Sequence, residues 1–140
     1  MNYLIMVSHG QFASGLKNAL TMLVGDKEEC LAIGLEDGKG IDDFTVLMKE
    51  AIRDIHPEDA IVLAGDLIGG SPLTTAMNIL SEYGLSQNLV VIGGMNLPLV
   101  LTTALMKDTY HGQELVDQVL QEASAGLRQF SFVVDEEDDI

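Results

Sequence analysis

Two side chains able to do chemistry, His9 and Asp66, each stand at the end of an apolar run beside glycine. His9 closes the run Leu4-Ile5-Met6-Val7-Ser8 and precedes Gly10, and Asp66 follows Ala60-Ile61-Val62-Leu63-Ala64-Gly65. An imidazole titrates near neutral pH, and a carboxylate bonded to one ring nitrogen fixes the tautomer and leaves the other nitrogen free to attack. Just beyond Asp66, Gly69-Gly70-Ser71-Pro72 opens a helical pattern. Backbone N–H groups and a hydroxyl at such a helix start suit an anion such as a phosphoryl group. Each feature also has a local explanation: Asp66 can cap a turn, Ser71 a helix, and glycines can supply special dihedrals. The other two histidines read as structural or surface residues: His56 precedes Pro57 at a helix end, and His111 lies in a turn.

These residues meet only if the chain brings several strand ends to one edge. Short apolar runs at Leu4–Val7, Cys30–Ile33, Ala60–Ala64 and Leu89–Ile92 read as strands buried on both faces. Between them lie helical patterns. The first runs from about Gln11 to Val24, ended by Gly25, and the second carries Phe44, Leu47, Met48, Ala51, Ile52 and Ile55, with Asp42 as N-cap and Pro57 as its stop. The third takes Ser71 as N-cap and Pro72 as first helical residue and closes at Gly84. A helix started by Pro98 runs to about Met106, and the last carries Leu115, Val119, Leu120, Ala123 and Leu127. Phe130–Val134 reads as a fifth strand ahead of an acidic tail. The order βαβαβαβααβ predicts a doubly wound open α/β sheet, whose strand carboxyl ends form the ligand crevice. The fifth strand follows a helix that leaves it at a sheet edge, so it is the natural candidate for pairing outside the domain.

The 140 residues fit one domain, with no apolar run near the ~20 residues of a membrane span. The start of the chain enters a strand directly, without the pattern of a secretory signal, so a cytoplasmic location is the expectation. Cys30 is the one cysteine, which excludes an internal disulfide framework. Net charge is −15, and without the run Asp135–Asp139 there are still 17 acidic side chains against 7 basic ones. Nucleic acid is therefore not an expected partner, since its binding draws on Lys and Arg. A protein with a basic docking face would be attracted.

Several chemistries fail on particular residues. A cysteine phosphatase needs its Cys in a phosphate loop, whereas Cys30 lies in a strand pattern. A receiver domain wants acids where Ser8-His9 stand, the phosphoglycerate-mutase pattern wants Arg at Ser8, and the cobalamin motif wants Asp at Val7. Gly69-Gly70 lacks the lysine of a Walker loop. Neither a metal nor a cofactor is expected.

Taken together, Ser8-His9-Gly10, Gly65-Asp66 with Gly69-Gly70-Ser71-Pro72, and Gly94-Met95-Asn96-Leu97-Pro98 resemble the IIA domain of mannose-family sugar phosphotransferase systems. The resemblance covers residues 1–134 as one domain and leaves 135–140 as a tail outside the pattern. It implies that His9 is phosphorylated, that Asp66 orients its ring, and that Gly10, Gly69, Gly70 and Ser71 hold the phosphoryl group. It also implies four parallel strands in the order 2-1-3-4, with an antiparallel C-terminal edge strand exchanged in a homodimer. The implied partners are the phosphocarrier HPr, a IIB domain and, peripherally, a membrane permease. The phosphotransfer subunit of dihydroxyacetone kinases shares the histidine loop, but Gly69–Pro72 and Asn96–Pro98 favour the sugar-transport branch. A metal-chelatase-like enzyme and a module that only binds a phosphorylated ligand are the readings from other classes.

Overall fold

The computed structural model describes residues 1–132. Val133 and Val134 of the expected fifth strand, and the tail 135–140, lie outside the described residues. The elements follow in the order β1 (Asn2–His9), α1 (Phe12–Val24), β2 (Cys30–Leu35), α2 (Ile41–Ala51), β3 (Ala60–Gly65), α3 (Ser71–Glu82), β4 (Leu89–Ile92), α4 (Leu97–Met106) and α5 (Gly112–Ala125). Every strand pair is parallel, and the order is β2-β1-β3-β4. This is the expected four-strand architecture. The chain steps from β1 to one side and then crosses to the other, so β1 and β3 flank the topological switch point.

Alternation along the strands sorts the core into two layers. Leu4, Met6, Val62, Ala64 and Ile92 pack with α1, α4 and α5, while Ile5, Val7, Ile61 and Leu63 pack with α2 and α3. Leu4 to Val7 are all fully buried, as the unbroken apolar run predicts. Each such side chain contributes about 1.5–3 kcal/mol relative to leaving it in water. The alternation matters for function because it continues past the apolar run. Ser8 falls on the α1 side, and His9 turns toward α3.

Helix starts differ from expectation at α3, α2 and α4, the last beginning at Leu97 rather than Pro98. Gly70, with extended backbone at φ −75° and ψ 155°, is the N-cap of α3, so Ser71 is its first residue and Pro72 its second. Likewise Gly40 rather than Asp42 caps α2, and its N–H donates to Asp43 Oδ2 at 3.1 Å. A carboxylate in the first turn thus meets the free donors from inside the helix instead of from its cap. The second helix ends at Ala51, short of Pro57, although Ile52 and Ile55 stay buried beyond it. His56 therefore lies in a turn, where its N–H donates to Asp59 Oδ2. Leu127 falls past the end of α5 and is exposed.

Among the described residues the sheet has four strands, and Phe130–Phe132 are irregular, with both phenylalanines over 80% exposed. The amino ends of the strands are closed by a buried lysine: Lys107 is 2% exposed. Its Nζ lies 3.0 Å from Glu29 Oε2 and 3.4 Å from Asp108 Oδ1. Burial pushes the Glu29 carboxyl up, but the Lys107 ammonium outweighs it and holds the group below its ordinary value. Lys107→Met fills the same space without the charge. It is expected to cost about 1–3 kcal/mol, less than the ~3–5 kcal/mol of a fully buried broken pair, because Glu29 can rehydrate. Urea denaturation checks this, and adding Glu29→Gln should restore part of the loss. An unmoved midpoint for Lys107→Met would mean the pair contributes nothing.

Candidate functional site

The carboxyl ends of β1 and β3 bring His9 and Asp66 together. Val7 pairs with Gly65, and the Asp66 N–H donates to the Val7 carbonyl at 3.3 Å. One carboxylate oxygen, Asp66 Oδ2, lies 2.9 Å from His9 Nδ1 and also accepts the His9 backbone N–H at 2.9 Å. The other, Oδ1, accepts the Leu67 N–H at 2.9 Å. Burial alone would raise the Asp66 carboxyl, but these bonds from His9 and Leu67 outweigh it, so the group lies below the ordinary aspartate value. An ionised carboxylate only accepts, so Nδ1 must carry the proton. In the neutral ring that leaves the lone pair on Nε2. The ring is about half exposed, whereas Asp66 is largely covered. An accessible imidazole is thus held by a shielded carboxylate.

Across the crevice stands the start of α3. Its first ladder bond runs from the Thr74 N–H to the Gly70 carbonyl at 3.1 Å, so the Ser71 and Leu73 N–H groups have no helix partner and Pro72 has none to give. Ser71 is exposed beside them. Gly70 faces the imidazole, and a Cβ built on it would sit 3.0 Å from His9 Cε1. Gly69 has φ +82°, a conformation L side chains rarely adopt.

Gly10 has a different task from the one expected. Its N–H donates to the Leu35 carbonyl at 2.8 Å, so that donor is taken, and its φ of +56° turns the chain from β1 into α1. Asn96 sits at the neighbouring strand end and caps α4, accepting the Leu99 N–H at 2.9 Å. His56 and His111 are exposed at the opposite, amino end of the sheet, about 23 Å away along β1 by its rise per residue. Neither approaches His9. Two contributors escaped the sequence reading. The Leu67 N–H leaves no trace in residue type. Ser8 does, since strand alternation places a hydroxyl on the buried face beneath α1.

A histidine held on a carboxylate at the switch point of a doubly wound sheet, facing an open helix start, defines the class: small α/β proteins with a strand-end imidazole in the ligand crevice. The comparisons narrow it. The family model described as "PTS system fructose IIA component" matches residues 3–120. The fructose-specific EIIA component of Bacillus subtilis (strain 168) is 25% identical over 115 residues, 82% of this chain and 77% of that one. The crystal structure of phosphotransferase system component EIIA from Streptococcus agalactiae superposes with a TM-score of 0.80 at 27% identity. It covers 93% of this chain and 98% of that one. The mannose/sorbose specific IIA subunit from Enterococcus faecalis shares the fold with a TM-score of 0.79 at 20% identity, over 96% of this chain and 98% of that one. The chain belongs to the mannose-type EIIA family of sugar phosphotransferase systems.

The lowered Asp66 group has a consequence for acid stability. Its contribution is complete above the ordinary aspartate value near ~3.9 and is lost as pH falls through the lower folded value. Asp66→Asn should therefore be less stable than wild type at pH 7, with the gap narrowing once the pH drops below about 4. Urea midpoints across a pH series measure it. A gap that ignores pH would mean the carboxylate's charge adds nothing.

Proposed function

We propose that this chain is the phosphoryl relay of its transport system, accepting a phosphoryl group from HPr on His9 and passing it to a IIB domain. The observation that carries the reading is the His9 Nδ1–Asp66 bond, which directs the lone pair of Nε2 outward. In the first step that lone pair attacks phosphorus in line. The bond to the donor atom of the carrier breaks, and its electron pair leaves with the carrier. The imidazole becomes a phospho-imidazolium whose positive charge Asp66 balances, and the Nδ1 proton never leaves. The second step reverses this toward the acceptor. Transfer of this kind needs chiefly alignment and neutralisation of the oxygens. The free Ser71 and Leu73 N–H groups, the Ser71 hydroxyl and the N-terminal dipole of α3 supply the neutralisation, with Gly69 and Gly70 letting the backbone approach. Gly10 contributes its turn rather than its N–H.

The reading puts the protein on the cytoplasmic side, at the periphery of a permease. Among the described residues no helix is long and apolar enough to cross a membrane. It also includes a homodimer that covers Phe130–Val134. In support, Phe130 and Phe132 expose large apolar rings, and among the described residues no strand pairs with the outer edge of β4, where Leu89, Val90 and Val91 are half-buried.

Incubation with phosphorylated carrier tests the relay. His9→Ala should fold and accept nothing, while His56→Ala and His111→Ala should still take an acid-labile, base-stable phosphate. A phosphate mapped to His56 or His111 would sink the assignment. Asp66→Asn should slow transfer by roughly 10²-fold or more, toward the ~10⁴-fold seen when a triad carboxylate becomes an amide. Wild-type rates would reduce Asp66 to a turn cap.

For the dimer, a chain stopped at Gln129 should sediment as a monomer and lose stability, whereas one stopped at Val134 should remain a dimer. A stable dimer from the shorter chain would show that this segment does not hold the subunits together.

A further inference from the structure

We propose that Ser8 is a positioning residue for the reaction at His9, its buried hydroxyl closing the turn that presents the imidazole. The inference rests on the reading of His9 as phosphoryl acceptor. Ser8 is fully buried, on the same face of β1 as Leu4 and Met6. A hydroxyl in such a place needs a partner. Its Oγ accepts the backbone N–H of Ala13, itself fully buried, at 2.7 Å. The N-cap residue of α1, Gln11, makes no side-chain cap bond, so Ser8 caps the helix from three residues upstream of it.

That placement has a consequence for His9. The bond joins residues 8 and 13 and encloses the turn His9-Gly10-Gln11. On its other sides the turn is tied by the Gly10 N–H to Leu35 at 2.8 Å and by the His9 N–H to Asp66 at 2.9 Å. Three elements therefore hold the backbone of one histidine: β2, the end of β3, and α1 through Ser8. Without the hydroxyl, the Ala13 N–H is buried without an acceptor and α1 can lift from the strand end. The His9 peptide is next to the loosened residue, so the alignment of Nδ1 on Asp66 goes with it.

The test compares Ser8→Thr, Ser8→Cys and Ser8→Ala in the full chain: Thr keeps an acceptor oxygen, Cys offers a weak one and Ala none. At saturating phosphorylated carrier, Ser8→Ala should be slower by about tenfold to 10²-fold, the scale of a small misplacement of reacting atoms. Ser8→Thr should stay near wild type and Ser8→Cys should fall between, with the half-saturating carrier concentration unchanged throughout. Nitrogen NMR of the His9 ring should show one tautomer, Nδ1–H, in wild type and Ser8→Thr, and a mixture in Ser8→Ala. Ala13 amide exchange should quicken in Ser8→Ala. The spectra need no carrier, so a wild-type protein that accepts no phosphoryl group refutes the relay while the ring signals still judge Ser8. A wild-type rate or an unmixed ring spectrum in Ser8→Ala overturns the proposal, as does a Ser8→Thr as slow as Ser8→Ala. Where Ser8→Ala fails to fold, Ser8→Cys against Ser8→Thr decides, and equal rates and spectra for that pair overturn it.

Discussion

The Asp66 carboxylate accepts three hydrogen bonds, from the His9 backbone, the His9 ring and the Leu67 backbone, and it does so across the switch point between β1 and β3. Much of the molecule exists to make that convergence possible. The parallel pairing of Val7 with Gly65 delivers both residues to the same edge at the same height. Were β3 shifted by one residue, every side chain on it would change faces and Asp66 would no longer reach the ring. The two apolar layers therefore set the site's geometry as well as the fold's stability, because they fix the register.

Holding the ring from one side is not enough; it must also be approached from the other. Here small residues do the work. Gly70 leaves room for His9 Cε1 where any Cβ would crowd it, and Gly65 lets Leu73 pack against the end of β3, where a Cβ would meet it at under 3.0 Å. The second contact draws the first turn of α3 toward the strand end, and with it the Ser71 and Leu73 N–H groups that have no helix partner. Leu73 thus belongs to the core through its side chain and to the crevice through its backbone. A loop with ordinary side chains at these positions would keep the helix dipole too far from the imidazole to matter, since that effect fades within a turn.

How much of this could be read beforehand follows from what each feature leaves in the residue types. Four apolar runs with helical patterns between them carry the strand and helix order, and His9 and Asp66 announce themselves as polar side chains closing apolar runs. Boundaries were less legible. Ser71 looks like an N-cap by type, yet Gly70 takes that position because the close approach to His9 requires a bare backbone there. Asp42 looks like a cap for α2, but Asp43 meets the Gly40 N–H from within the first turn. Gly10 looks like an anion donor until its N–H is found on Leu35, a pairing set by strands distant in sequence. Phe130–Phe132 has the composition of a strand, but among the described residues the sheet is made of β1 to β4 and this segment is irregular; composition alone does not fix where a segment pairs.

The charge pattern around the crevice bears on the proposed phosphoryl site. Between Arg53 and Lys107 the chain contains no lysine or arginine, so the loops after β3 and β4 bring no cationic side chain to His9. In the proposed relay the phosphoryl oxygens are met from these loops by neutral N–H groups, a hydroxyl and a helix dipole. Charge-assisted hydrogen bonds are roughly twice as strong as neutral ones. A lysine or arginine clamp would therefore hold the ground-state phosphohistidine more tightly and deepen the well from which the group must be passed on. Neutral donors align the oxygens without that trap, and Asp66 balances the ring only while the ring is charged. A carrier, unlike a phosphatase or a kinase, works best when the bound and transferred states lie close in free energy, and in the proposed relay the uncharged donors of the loops after β3 and β4 serve to keep them close.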